Sequence, residues 1–165
     1  MSNNIQALIQ QLSAQNSAQQ AAAAQALARL GQDARPAAAA LVAALRTADA
    51  PTREWCAAAL EELGPPPATQ ISELVKLAGD KSPDVAYWAI TLLGRAGKDA
   101  APAVPTFISV LQSSPESALR ERAAWALGKL GRIAAPATSA LRKAEAGSEP
   151  RLSRLAKQAL DAIES

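Results

Sequence analysis

The strongest constraint on this chain is a short segment that recurs at even intervals along it. Residues 26–31, 59–64, 92–97 and 126–131 read Ala-Leu-Ala-Arg-Leu-Gly, Ala-Leu-Glu-Glu-Leu-Gly, Leu-Leu-Gly-Arg-Ala-Gly and Ala-Leu-Gly-Lys-Leu-Gly. The copies close on Gly31, Gly64, Gly97 and Gly131, with equal spacing but for one extra position before the last. A fifth copy, Ala159-Leu160-Asp161-Ala162-Ile163, leads to Glu164 one period later and lacks the glycine. A period of roughly 33 residues marks a repeat architecture. Each unit is one supersecondary element, and it buries its apolar face only by stacking on its neighbours.

Counting back from each closing position defines the unit. Four residues before it stand Leu27, Leu60, Leu93, Leu127 and Leu160, and eight before stand Ala23, Cys56, Ala89, Ala123 and Ala156. Five before stand Ala26, Ala59, Leu92, Ala126 and Ala159, and one before stand Leu30, Leu63, Ala96, Leu130 and Ile163. These offsets fall on one face of a helix. The closing glycine suits a left-handed position after a helix C-terminus, where a Cβ is penalised.

A second helical set lies between these: Ile5, Leu8, Ile9 and Leu12; Leu41, Val42 and Leu45; Ile71, Leu74, Val75 and Ala78; Val104, Phe107, Ile108 and Leu111; and a weaker run around Ala137 to Ala144. Pro36, Pro102 and Pro136 stand near the starts of these helices, where a missing N–H costs little. Pro51, Pro83, Pro115 and Pro150 open the second helix of four pairs in the same way. Ser82-Pro83-Asp84 and Ser114-Pro115-Glu116 read as N-cap, first-turn proline and acidic residue. Almost half the residues are apolar, mostly alanine, and only five are aromatic. β-Branched residues are scattered, so the class is all-α.

The pattern Ala-Ala-x-Ala-Leu-Gly-x-Leu-Gly, clearest in residues 119–131 (Leu-Arg-Glu-Arg-Ala-Ala-Trp-Ala-Leu-Gly-Lys-Leu-Gly), resembles the short HEAT repeats, including the phycobilisome-lyase-like class. Ankyrin and tetratricopeptide signatures do not line up. The resemblance covers essentially the whole chain and implies a right-handed α-solenoid of five antiparallel helical hairpins, ten helices in one domain over 1–165. The repeats then run approximately over 1–31, 32–64, 65–97, 98–131 and 132–165. The repeat's usual arginine is present at Arg53 and Arg120 and replaced by Gln20, Ala86 and Ser153. The run Pro65-Pro66-Pro67 predicts an irregular second turn.

Charge and composition exclude several functions. There is no histidine and one cysteine, so zinc sites, His-based triads and an internal disulfide are ruled out within the chain. No glycine-rich phosphate loop is present. Glu61-Glu62 diverge by about 100° on a helix and read as solvated surface. Cys56 falls on the core face and reads as a buried, inert thiol. With 17 basic and 15 acidic residues, charge alone implies no nucleic acid. The N-terminus lacks the basic region and apolar run of a signal peptide, and Met1 reads as a natural start. No run approaches the ~20 apolar residues a membrane span needs. A cytoplasmic, non-enzymatic protein without cofactor, metal or membrane is the expectation. No charged side chain precedes Arg29, but ten Gln and Asn do: Asn3, Asn4, Gln6, Gln10, Gln11, Gln15, Asn16, Gln19, Gln20 and Gln25. They read as a polar capping pair.

One surface merits a functional reading. Positions 13, 9, 6 and 2 before each closing residue flank the core face together. In HEAT-like proteins the second helices line the concave surface, so the resemblance implies that this strip faces inward. It carries Pro51, Trp55, Ala58 and Glu62; Asp84, Trp88, Thr91 and Arg95; Ala118, Arg122, Trp125 and Lys129; with Arg29, Arg151 and Leu155 from the flanking repeats. All three tryptophans share it. Trp55 and Trp88 lie only about 70° from the core centre and read equally as gap fillers between alanine-rich helices. Trp125 lies about 130° away, at a position normally polar. The candidate partner-binding residues are Arg29, Trp55, Trp88, Arg95, Arg122, Trp125, Lys129 and Arg151. A basic strip with interleaved indoles suits an acidic peptide or partner protein. A nucleic-acid protein resembling the HEAT-like DNA alkylation glycosylases is the second reading, on stacking of bases against indoles. A bilin-lyase or bilin-chaperone subunit is the third, by resemblance to the phycobilisome group.

Overall fold

A computed structural model describes residues 2–165, and the side chains of Ser2 and Asn3 lie outside that description, as does Met1. The α-helical segments are α1 (Ser2–Leu12), α2 (Ser17–Leu30), α3 (Ala38–Ala44), α4 (Ala50–Glu62), α5 (Ile71–Ala78), α6 (Pro83–Ala96), α7 (Val104–Ser113), α8 (Ser117–Leu130), α9 (Thr138–Glu145) and α10 (Pro150–Glu164). No strand occurs among the described residues. The even-numbered helices are the second helices of the repeat. They stack as one layer, and the shorter odd-numbered helices form the other. The result is an all-helical solenoid.

Ten separate helices were expected, but the segments run together. Short 3-10 turns, Gly31–Ala37, Gly97–Ala103 and Gly131–Ala137, join α2 to α3, α6 to α7 and α8 to α9 through a corner at each glycine, with a further kink at Ala100. With a fourth 3-10 turn, Ala68–Gln70, leading into α5, the chain forms seven continuous helical stretches. Each of the three joining turns begins at a closing glycine. Gly31, Gly97 and Gly131 take φ of 52°, 58° and 58° with ψ of −127°, −130° and −137°. Here φ is positive, but ψ lies far from the left-handed helical value. That corner turns the chain directly into the next helix, and it is sterically more exclusive of side chains than the expected one.

The core follows the counted offsets of four and eight, whereas at the offsets of five and one Ala26, Leu30, Ala96 and Ile163 are only half-buried. Leu27, Leu60, Leu93, Leu127 and Leu160 are buried, as are Ala23, Cys56, Ala89, Ala123 and Ala156. From the first helices Ile5, Leu12, Leu41, Leu45, Ile71, Leu74, Phe107, Leu111 and Leu141 meet them. Burial pushes the Cys56 thiol up to about 12, which leaves it protonated and inert.

Two caps differ from the sequence reading. The Ser82 side chain does not cap α6. Its backbone N–H instead donates to Asp80 Oδ1 at 2.9 Å. Pro115 precedes α8 by two residues, with Glu116 at the N-cap position. Asn16, read in the sequence only as part of the polar first pair, and Asp49, not singled out there, are the side chains that cap α2 and α4.

The position of the repeat's usual arginine has a common task. Arg120 donates to the Ser114 carbonyl at 2.7 Å, closing the turn between the two helices of its repeat, and pairs with Glu149 at 2.7 Å. Arg53 reaches the Ala48 carbonyl at 3.4 Å and Asp84 at 3.2 Å. Gln20 donates to the Ala14 carbonyl at 2.7 Å, and Ser153 to that of Glu145 at 2.6 Å. The replacements keep the turn-closing hydrogen bond and drop the charge. Only Ala86 leaves it out, and there Asp80 binds both the Ser82 N–H and the Arg46 guanidinium.

Packing of α6 on α8 and of α8 on α10 uses the first glycine of the Gly-x-x-Gly motif. A Cβ on Gly128 of α8 would stand 3.2 Å from the Ala159 Cα of α10. Gly94 of α6 admits Trp125 of α8 in the same way. In α4 the equivalent residue is Glu61. The helices α6, α8 and α10 pack closely in sequence, and α2 and α4 do so with the small Ala28 at that position, whereas α4, with Glu61 there, and α6 scarcely approach. This wide joint follows the Pro65-Pro66-Pro67 turn, where Pro66 is buried and no 3-10 turn starts at the glycine.

Candidate functional site

The strip predicted on the second helices is present, but its residues do not act alike. Trp55 on α4 is exposed at 37 %. Trp88 on α6 and Trp125 on α8 are half-buried and pack against the core edge. Thr91 is buried, its hydroxyl donating to the Tyr87 carbonyl at 2.7 Å, so it is not surface. Arg29 and Lys129 are exposed on their helices.

The centre of the site is an aromatic and guanidinium stack between α6 and α8. The Arg122 guanidinium lies 4.5 Å from the Tyr87 ring centroid and 5.0 Å from that of Trp125. It also donates to the Tyr87 hydroxyl. Tyr87 meets Trp88 edge-on, with centroids 5.8 Å apart. Lys129 Nζ stands 5.8 Å from Trp125, one helical turn further along α8. Each half-buried cation–ring contact is worth about 1 kcal/mol, so the stack holds Arg122 in place more firmly than an exposed ion pair would.

Tyr87 was missed in the sequence reading. It sits one residue before the strip position of Trp88, facing the next helix rather than the previous one. The signal available was the repeat register, which places residues ten before one closing position opposite residues nine before the next.

Two of the remaining basic residues are committed elsewhere. Arg95 donates to the Leu60 carbonyl at 2.7 Å across the wide α4–α6 joint. Its pKa is lowered, first by burial and then by the neighbouring Arg122 charge, with Glu61 and Tyr87 opposing. Arg151 on α10 pairs with Glu121 on α8 at 3.1 Å. Arg122 forms no ion pair with a carboxylate among the described residues.

Two small hollows flank Trp125. One, of about 170 Å³, is lined by Tyr87, Ala118, Glu121, Arg122, Trp125, Arg151 and Leu155. The other, of about 250 Å³, is lined by Ala124, Trp125, Gly128, Lys129, Leu155, Gln158 and Ala159. A larger hollow of about 680 Å³ lies near Leu12, Gln20, Ala43 and Arg46. It has no aromatic side chain, and its one cation already pairs with Asp80, so size alone does not make it the site. Among the described residues no helix is long and apolar enough to cross a membrane.

Comparison with known proteins agrees with this architecture. The model of the HEAT repeats family matches residues 71–161. No curated protein matches the chain. Among solved structures, an engineered protein is 22 % identical with a TM-score of 0.65, over 98 % of this chain and 48 % of its own, so the chain spans about half its length. A designed armadillo repeat protein in complex with the peptide (KR)4 is 18 % identical, with a TM-score of 0.67 over 94 % of this chain and 80 % of that one. The complex of CpcE and CpcF of phycocyanin lyase from Nostoc sp. PCC7120 gives 21 % identity and a TM-score of 0.64, over 96 % and 99 %. At these identities the likeness speaks for the fold. With the family's pattern matched over more than half of the chain, and its paired glycines serving one for helix contact and one for the turn, the chain belongs to the HEAT-repeat family.

Proposed function

We propose that this chain is a non-enzymatic scaffold whose five hairpins, wound in the right-handed sense of the family, hold an acidic segment of a partner protein along the second-helix face. That face would be the concave one. The observation that carries the reading is Arg122, held between two aromatic rings without a carboxylate partner among the described residues. An oriented, uncompensated guanidinium beside exposed indole surface is a ready anchor for an anionic side chain. The designed armadillo protein likened above holds a basic peptide on a related fold. Here the strip is basic, so the complementary ligand has the opposite sign.

Fluorescence anisotropy with labelled peptides tests the reading. A glutamate-rich peptide is expected to bind, more weakly as salt rises, and a lysine-rich one of equal length is not. Equal binding of both, or of neither, would overturn it. The nucleic-acid reading draws on the same aromatic–basic pairing, and short single-stranded DNA at two salt concentrations tests it. The bilin-lyase reading rests on the fold likeness to CpcE and CpcF.

A further inference from the structure

We infer that Arg122 is the point on the strip that reads the acidic residue, and that the bound segment carries this residue two positions from an apolar one. The inference rests on the scaffold reading above and narrows it from a whole strip to two adjacent subsites around Trp125.

The first step is elimination among the cations. Arg151 is neutralised by Glu121 at 3.1 Å. Arg95 is half-buried and already donates to the Leu60 carbonyl, so its task is to bridge α4 and α6. Arg29 and Lys129 are exposed, and an exposed flexible cation must be ordered by its ligand at an entropic cost. Arg122 is different. Tyr87 and Trp125 hold the guanidinium plane, and the Tyr87 hydroxyl takes one of its N–H donors. The guanidinium has five donors, so several stay available in a fixed fork.

The second step is what surrounds it. The hollow of about 170 Å³ beside Arg122 contains two guanidiniums and one carboxylate, a net positive site of side-chain size. A carboxylate entering there meets Arg122, beside the Glu121–Arg151 pair, whose guanidinium is exposed. Across the Trp125 indole, the hollow of about 250 Å³ has a floor of Ala124, Gly128 and Ala159. No carboxylate lines it, its two polar side chains, Lys129 and Gln158, are exposed, and its small and apolar residues suit an apolar side chain. Trp125 and Leu155 are walls of both hollows. In an extended segment, side chains two residues apart point to the same side about 7 Å from each other. That spacing lets one side chain enter on each side of the indole. The occupant is therefore an extended peptide of the form acidic–x–apolar, in either chain direction.

A peptide panel against the full chain tests this. The parent peptide has Glu and Leu two residues apart, and variants carry Glu→Gln, Leu→Ser, or the pair at spacings of one and three. On the wild-type protein, the parent is expected to bind about tenfold better than its Glu→Gln variant and several-fold better than the rest. On Arg122→Gln the preference for Glu over Gln disappears, while the preference for Leu over Ser persists. On Gln158→Lys, which puts a charge into the second hollow alone, the reverse holds. Arg122→Lys, which keeps the charge but not the planar fork, retains only part of the Glu preference and serves if the glutamine variant is poorly folded. If acidic peptides bind but the Glu preference survives in Arg122→Gln and vanishes in Lys129→Gln or Arg29→Gln, the assignment to Arg122 falls and the scaffold reading stands. If spacing has no effect, the two-subsite geometry falls. If no acidic peptide binds, both fall together.

Discussion

The six-membered ring of Trp125 rests on Gly94 of the neighbouring second helix. A β-carbon built on that glycine would overlap Cζ3 of the indole and stand 3.0 Å from Cη2. The helix thus leaves out a side chain where the next repeat puts in its largest one.

Replacing Gly94 by Ala sets two effects against each other. Alanine gains up to about 1 kcal/mol in helix propensity, and overpacking costs about 1–3 kcal/mol. The indole is half-buried and has room to move outward, so net stability is expected to change little while Trp125 becomes more exposed. Acrylamide quenching of Trp125, measured with Trp55 and Trp88 replaced by Phe, should rise clearly in Gly94→Ala. Unchanged quenching would contradict the contact.

The closing glycines predict a sharper effect. Gly97 lies at φ 58° and ψ −130°, a region that essentially only glycine occupies, so Gly97→Ala is expected to cost about 1–3 kcal/mol in urea denaturation. Gly79 provides the control. Its φ is −96°, and the nearest atom to an added Cβ is the Lys76 carbonyl oxygen at 3.8 Å. Gly79→Ala should be neutral or stabilise by a few tenths of a kcal/mol.

Turn closure by the family arginine yields a graded series. Arg120→Ala loses charge-assisted hydrogen bonds to the Ser114 carbonyl and Glu149, with an expected cost of about 1.5–3 kcal/mol. Gln20→Ala loses one neutral bond to the Ala14 carbonyl and should cost about 1 kcal/mol. Gln20→Arg would show whether the first repeat accepts the family residue. Thermal melts of the three variants rank the contributions.

Acid should weaken the junction of the second and third repeats. The hydrogen bond from Arg46, chiefly, holds the Asp80 carboxyl below its ordinary value, with the Ser82 N–H and the Arg46 charge adding to it and burial opposing. A carboxyl depressed in the folded state stabilises fully above its unfolded pKa, about 3.9. That stability is lost as pH falls through the lower folded value. Wild-type protein should therefore lose stability below about pH 4, and Asp80→Asn should flatten that limb while lowering stability at neutral pH. Urea midpoints measured from strongly acidic to neutral pH check the sign.

The repeat was legible because glycine placement and apolar spacing are local properties, set by one helix and its turn. Leu27, Leu60, Leu93, Leu127 and Leu160 needed no neighbour to be assigned to the core. The site was only partly legible because it depends on which residue of one helix meets which residue of the next. Tyr87 gains meaning only opposite Arg122, and Gly94 only beneath Trp125. Trp55 and Trp88 share one register position, yet Trp55 is exposed and Trp88 half-buried, because they face different neighbours. The merging of ten helices into seven stretches depended on the ψ of three glycines, which no composition rule specifies.

The wide joint between α4 and α6 is where the solenoid is expected to bend most readily. A quasi-linear stack bends where neighbouring units share the least backbone contact, and here that place is spanned by the Arg95 bond to Leu60 and the exposed Arg53–Asp84 pair. Flexing there changes the distance from Trp55 to Trp125 but carries Tyr87, Arg122 and Trp125 as one piece. If a partner widened the strip, the proposed anchor would keep its geometry while the gap beside Trp55 opened.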